Sequence, residues 1–157
     1  MLRAFPFVVL LALTACGGDP ASDGETAPST TVPAPVIGAD MELPVEDPFC
    51  TFTAEGGAPE GGYVFVTSMG ESVYHGYARL DGETTRLTEV EAGFGAGIET
   101  RRYVTDDESV ELEVILLEAG ESEEAVSYTG SVRSIFPVEG DAVKFEGRCA
   151  YAGDAHE

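Results

Sequence analysis

Three stretches of this chain alternate apolar and polar residues with a period of two, and that pattern commits it to β-structure. Val110, Leu112, Val114 and Leu116 fall on one side of a segment with Glu111 and Glu113 on the other. Val126, Tyr128, Gly130 and Val132 alternate with Ser127, Thr129, Ser131 and Arg133, and Val143, Phe145, Gly147, Cys149 and Tyr151 oppose Lys144, Glu146 and Arg148. Side chains of a strand point to opposite faces in turn, so each segment reads as a strand with one face on a core. Shorter β-branched and aromatic runs over 49–53, 63–68, 73–80, 84–90 and 98–105 join them. Asp81-Gly82 between two of these is a hairpin turn of the kind that demands positive φ. Gly93, Gly95 and Gly97 read as a flexible loop between strands, and Asp106-Asp107 as a further turn. No segment holds a 3.6-residue period with caps, so little helix is expected. The expected fold is all-β, about eight antiparallel strands in a small barrel or sandwich.

Charge narrows the partners. The chain carries 29 Asp and Glu against 8 Lys and Arg, a formal charge of −21. Phosphates would be repelled, which argues against nucleic acid and against anionic lipid headgroups as binding surfaces. Asn, Gln and Trp are all absent. Sugars are commonly read by side-chain amides and stacked on indole, so a carbohydrate-binding module is disfavoured.

The N-terminus supplies an address. Arg3 is followed by an apolar stretch from Ala4 to Leu13 broken only by Pro6, which suits the h-region of a secretory signal and is shorter than the ~20 residues a bilayer-spanning helix needs. Leu13-Thr14-Ala15-Cys16 resembles the lipobox of bacterial lipoproteins, in which the cysteine after a small residue is lipidated and becomes the mature N-terminus. The resemblance implies a signal peptide over residues 1–15, a lipid on Cys16 and a cell-envelope location. Gly17 stands where an aspartate would favour retention in the inner membrane of enteric-type cells, so the periplasmic side of the outer membrane is favoured. Residues 16–47, with Pro20, Pro28, Pro33, Pro35 and Pro44 among small and acidic residues, read as a disordered linker. As a flexible coil the 31 residues from Gly17 to Asp47 would reach about 30 Å. The β-domain is then expected over 48–153, with a tail at 154–157.

With Cys16 assigned to lipid, Cys50 and Cys149 remain as a pair in an oxidising compartment, and a disulfide is expected between them. Alternation turns both toward apolar neighbours. As metal ligands they lack a CxxC spacing and nearby histidine, so no metal and no cofactor are expected.

Catalytic candidates are few. His75 shares a strand face with Tyr77 and Arg79 and reads as a surface residue, and no serine sits in a G-x-S-x-G elbow. From residue 48 onward there are 22 acidic residues, so a carboxylate pair at glycosidase spacing carries no information. Asp106-Asp107-Glu108 lacks the spacing of a calcium loop. Gly93-Phe94-Gly95-Ala96-Gly97 matches no phosphate-binding pattern, yet glycines let a partner's backbone approach closely. Arg101 and Arg102 beside it form the only basic doublet, and alternation sends them to opposite faces. The candidate partner-binding loop is therefore Gly93, Gly95, Gly97, Arg101 and Tyr103, with no catalytic residue assigned.

An early and a late cysteine, the turn Leu80-Asp81-Gly82-Glu83 and a glycine-rich loop followed by tyrosine give the domain a likeness to a known family. It resembles the lysozyme-inhibitor lipoproteins of the MliC type, small disulfide-linked β-barrels that insert a loop into the cleft of c-type lysozyme. That family's inhibitory element is Ser-Gly-x-x-Tyr; the nearest stretch here runs Gly97-Ile98-Glu99-Thr100-Arg101-Arg102-Tyr103, without the serine and with a longer gap. The resemblance implies inhibition of a basic lysozyme through residues 93–103. Together with the envelope location and lipid that the lipobox resemblance implies, the rest of the chain points to a non-enzymatic, monomeric protein that binds another envelope or periplasmic component.

Overall fold

The computed structural model describes residues 32–151. Cys16 with its expected lipid, the expected signal segment and the expected tail at 154–157 lie outside the described residues. Among the described residues nine strands form: β1 (Ile37–Gly38), β2 (Cys50–Ala54), β3 (Phe65–Met69), β4 (Tyr74–Leu80), β5 (Glu83–Gly95), β6 (Ile98–Thr105), β7 (Glu111–Glu121), β8 (Ala125–Phe136) and β9 (Val143–Ala150). From β2 to β9 each strand pairs antiparallel with the next, and β9 returns to pair with β2. The sheet thus closes into an eight-stranded barrel, with β1 added beside β4. Closure gives every barrel strand a neighbour on both sides over at least part of its length, which a sandwich of two open sheets does not.

The interior is filled by pairing large rings with glycines. Phe52 lies opposite Gly147 and Phe145 opposite Gly130, and the two rings meet at 4.5 Å. A Cβ on Gly147 would stand 2.0 Å from the Thr51 carbonyl oxygen, and one on Gly76 would stand 2.6 Å from the Phe65 ring. Phe65 in turn packs edge-on against Tyr103 at 5.1 Å. These four rings are almost wholly buried, each contributing about 1.5–3 kcal/mol of transfer free energy.

The expected disulfide forms. Cys50 and Cys149 are directly opposed across the β2–β9 seam with Cα atoms 4.0 Å apart, so the bridge ties the first barrel strand to the last where the cylinder closes.

Two expectations need correction. The linker expected over 16–47 ends too late, because residues 36–41 belong to the barrel. Ile37 and Gly38 pair with Leu80 and Arg79, the Val36 and Asp81 amides donate to Asp81 Oδ1 and to the Val36 carbonyl at 2.9 Å each, and fully buried Met41 exchanges backbone bonds with Tyr63. Composition missed this strap because its attachment is mostly main-chain, which proline-rich, acidic flanks do not reveal. The glycine-rich loop at 93–97 is also not a loop. β5 runs on through Gly93 to Gly95, and a two-residue turn, Ala96-Gly97, leads into β6 with both residues at positive φ. Pairing with β6 supplies the ladder that two glycines would weaken in isolation.

Connections fix the polarity of the barrel. The β3–β4, β5–β6 and β7–β8 turns and the disulfide lie at one end. The β4–β5 turn and the strap lie at the other, where Ile37 and Ala39 pack on the core.

Candidate functional site

The disulfide end is open. Beneath it is a cavity of about 210 Å³ whose walls include Phe49, Tyr74, Leu116, Tyr128, Glu99 and Arg101, with Tyr103 and Phe52 deeper. Strand alternation makes this lining: β6 sends Glu99, Arg101 and Tyr103 inward, and β4 sends Tyr74. Phe49 and Tyr74 lie 5.3 Å apart.

Arg101 is the centre of the site. Its Nη1 donates to Glu89 Oε2 at 2.9 Å, and its Nε and Nη2 donate to Glu99 Oε2 at 3.2 and 2.9 Å. The Tyr103 hydroxyl donates to Glu89 Oε2 at 2.9 Å, and the Tyr128 hydroxyl reaches Glu99 Oε1 at 3.4 Å. The guanidinium lies over the Tyr74 ring at 5.5 Å and the Phe94 ring at 5.6 Å. Side-chain exposure is only 17% for Arg101, 13% for Glu89 and 21% for Glu99. Burial opposes the Arg101 charge, but hydrogen bonding to Glu99 and the pull of its other neighbours outweigh it and raise its pKa. Burial first, then the Glu89 charge, raises that of Tyr103, so its phenol stays protonated and serves as a donor. Burial and Glu99 shift Tyr128 the same way. With two carboxylates around one guanidinium the triad carries a net negative charge, and aromatic faces line the space beside it, an environment that favours cations.

The rim is apolar. Among the described residues, eleven large apolar side chains are exposed, and six of them, Met69, Val73, Val90, Phe94, Ile98 and Leu117, lie at this end. Phe94, 71% exposed, stands on the projecting β5–β6 hairpin, on the same side of it as Glu99 and Arg101.

The structure redistributes the candidate residues. Gly93 and Gly95 are strand residues of the hairpin and Gly97 is its turn. Arg101 and Arg102 do face opposite ways: Arg102 lies outside and pairs with Glu91 and Glu111 at 3.1 and 3.0 Å. Tyr103 is 1% exposed and cannot meet a partner, because its ring fills the core below Arg101; it is a support, not a contact. His75, paired with Ser68 and Thr88, does not line the cavity. Glu89, Glu99, Tyr74 and Tyr128 were not singled out from the sequence. The signal for the first two was there: Glu89 follows core Leu87 by two, and Glu99 precedes Arg101 by two. A β-bulge between Glu89 and Glu91 then inserts Val90 and reverses the parity, so simple counting from Leu87 puts Ala92 and Phe94 on the wrong side.

The acidic turn at 106–108 is built by internal bonds. Asp107 Oδ1 accepts from Thr105 Oγ1 and Ser109 Oγ at 2.7 Å each and from the Ser109 amide at 3.1 Å. Those bonds, that of Thr105 foremost, hold its pKa down to about 2. Among the described residues no group of three or more His, Cys, Asp and Glu is arranged to hold a metal ion, and no helix is long and apolar enough to cross a membrane. No protein-family model, curated protein or solved structure matches this chain.

Proposed function

We propose that this protein is a non-enzymatic, lipid-anchored envelope protein whose acidic barrel binds another envelope or periplasmic component at its open end. The observation that carries this reading is the aromatic cavity at the open end, lined by the net-negative Arg101, Glu89 and Glu99 triad, with exposed Phe94 on the hairpin beside it. A phenyl ring as exposed as that of Phe94 is what a binding site needs and what solubility alone disfavours. A binding role rather than catalysis is supported by the carboxylates of the cavity, since Glu89 and Glu99 are both committed to Arg101. The Cys16 lipid would hold the domain at the membrane, with the outer membrane favoured, and the linker would let the open end reach its partner.

Site-specific photo-crosslinking in intact cells tests this. A benzophenone side chain in place of Phe94 is expected to trap a discrete adduct, and one in place of Asp141, near the strapped end, is not. Equal adducts at both positions, or none at Phe94, would reject the reading. Replacing Cys16 by Ser should release the chain from the membrane fraction; retention would reject the anchor.

A second reading is periplasmic inhibition of c-type lysozyme by residues 93–103. It is favoured by the hairpin, which projects beyond β4 with Phe94 near its tip, as a cleft-plugging element must. Mixing the full chain with c-type lysozyme at moderate salt decides it: undiminished cell-wall lysis at large excess dismisses inhibition.

A further inference from the structure

The β5–β6 hairpin leaves one strand edge uncovered. β4 pairs with β5 only from Leu80↔Glu83 to His75↔Thr88, whereas β6 accompanies β5 all the way to Gly95↔Ile98. From Glu89 to Gly95, β5 therefore has a neighbour on one side and, among the described residues, none on the other. Proteins usually blunt such edges with lysine, proline or inward charge. Between Val90 and Gly95 there is no lysine or proline, and the one charge, Glu91, is bound by Arg102 at 3.1 Å. The bulge at Val90 spoils the base of the edge; the five residues from Glu91 to Gly95 remain open and exposed.

Hairpin geometry says which groups are offered. Gly95 and Ile98 close a two-residue turn, so their amides and carbonyls face each other, and the alternation of an antiparallel ladder then turns those of Phe94 and Ala92 outward to the edge. Residues directly opposite one another in such a ladder point to the same face. An incoming strand that bonds to Ala92 and Phe94 would therefore send the opposed side chains to the inner side, toward the net-negative triad of Arg101 with Glu89 and Glu99 and the Phe94 ring beside it.

We propose that the free edge of β5 takes up an extended basic segment of a partner protein as an added antiparallel strand, with its lysine or arginine side chains directed into the barrel mouth. This rests on the binding reading above and names its occupant. Charge complementarity selects a basic partner: residues 32–151 hold 24 acidic and seven basic residues, and two of those seven, Arg101 and Arg102, are engaged by glutamates at this end. A second copy would bring the same negative charge against itself. Main-chain bonds supply attachment in this mode and alternate side chains supply selectivity.

The test uses the full chain and a ten-residue peptide of alternating lysine and valine, with fluorescence anisotropy at 0.15 M salt. Binding is expected to weaken at least tenfold when the lysines are N-methylated on the backbone and to be preserved when the valines are. Ala92→Pro, which removes an outward amide without touching the β6 ladder, should weaken binding to a similar degree. The N-methyl comparison needs no folded variant. Equal affinity for both methylated peptides would mean charge attraction alone and overturn the proposal. So would dimerisation of the full chain abolished by Ala92→Pro, which would make the edge a self-pairing surface. Either result leaves crosslinking at Phe94 to judge the broader reading separately.

Discussion

Replacing Arg101 by leucine is the most informative perturbation of the mouth. The guanidinium makes three charge-assisted hydrogen bonds to two carboxylates, and at an effective dielectric near 20 each ion pair at this range is worth about 4 kcal/mol before desolvation. Most of that is offset by the cost of taking the charges from water. What leucine leaves behind is the deciding quantity: two glutamates, 13% and 21% exposed, turned toward one another without a cation. Removing one partner from a fully buried ion pair costs about 3–5 kcal/mol. Partial solvent access places this case at the lower end, about 3 kcal/mol. A triple variant, Arg101→Leu with Glu89→Gln and Glu99→Gln, removes the charges together and should recover at least half of the loss, since replacing a whole buried ion cluster is often nearly neutral. Urea unfolding followed by tyrosine fluorescence, feasible because the chain has no tryptophan, measures both. A loss below about 1 kcal/mol for the single variant, or a triple variant no more stable than the single one, would refute the claim that the triad is shielded and mutually dependent.

Gly147→Ala is expected to cost about 3 kcal/mol or more, because the clash is with the Thr51 carbonyl rather than with a side chain that can turn away; thermal unfolding of the variant checks this. Joint replacement of Cys50 and Cys149 by serine should lower stability by about 2–5 kcal/mol, given a separation of 99 residues, read from denaturant midpoints with and without reductant. Ala96 sits at φ 50°, so Ala96→Asn, which creates the Asn-Gly pair preferred in such turns, should raise stability by roughly 0.5–1 kcal/mol. Asp107 should titrate near pH 2 in a carboxyl-detected NMR experiment. Since its folded pKa is depressed, the bonds of that turn contribute above the unfolded value and are lost as pH falls toward 2; a midpoint near 3.9 would refute the turn geometry.

Much of the barrel was legible because strand identity is a local property. Leu112-Glu113-Val114 states its own inward and outward faces, Asp81-Gly82 states its own turn, and the inward cysteines of the first and last strands are explained by a cylinder that brings those strands together. Half of the site was legible on the same grounds: alternation separated Arg101 from Arg102. Glu99, two residues before Arg101 on the same strand, was within reach of the same counting, whereas Glu89 becomes a partner only because β5 pairs beside β6 and brings it against Arg101.

What the sequence determined by itself was the β-structure, its turns and the pair of cysteines that staples it, because periodicity and turn chemistry act over a few residues. Tertiary structure decided the rest. Closure of the sheet chose barrel over sandwich, and main-chain bonding drew residues 36–41 out of the linker. The bulge at Val90 turned Phe94 over the mouth, and the mismatch in length between β4 and β5 left a hairpin edge exposed. Each of these depends on which strand lies beside which, and so on bonds between residues far apart in the chain.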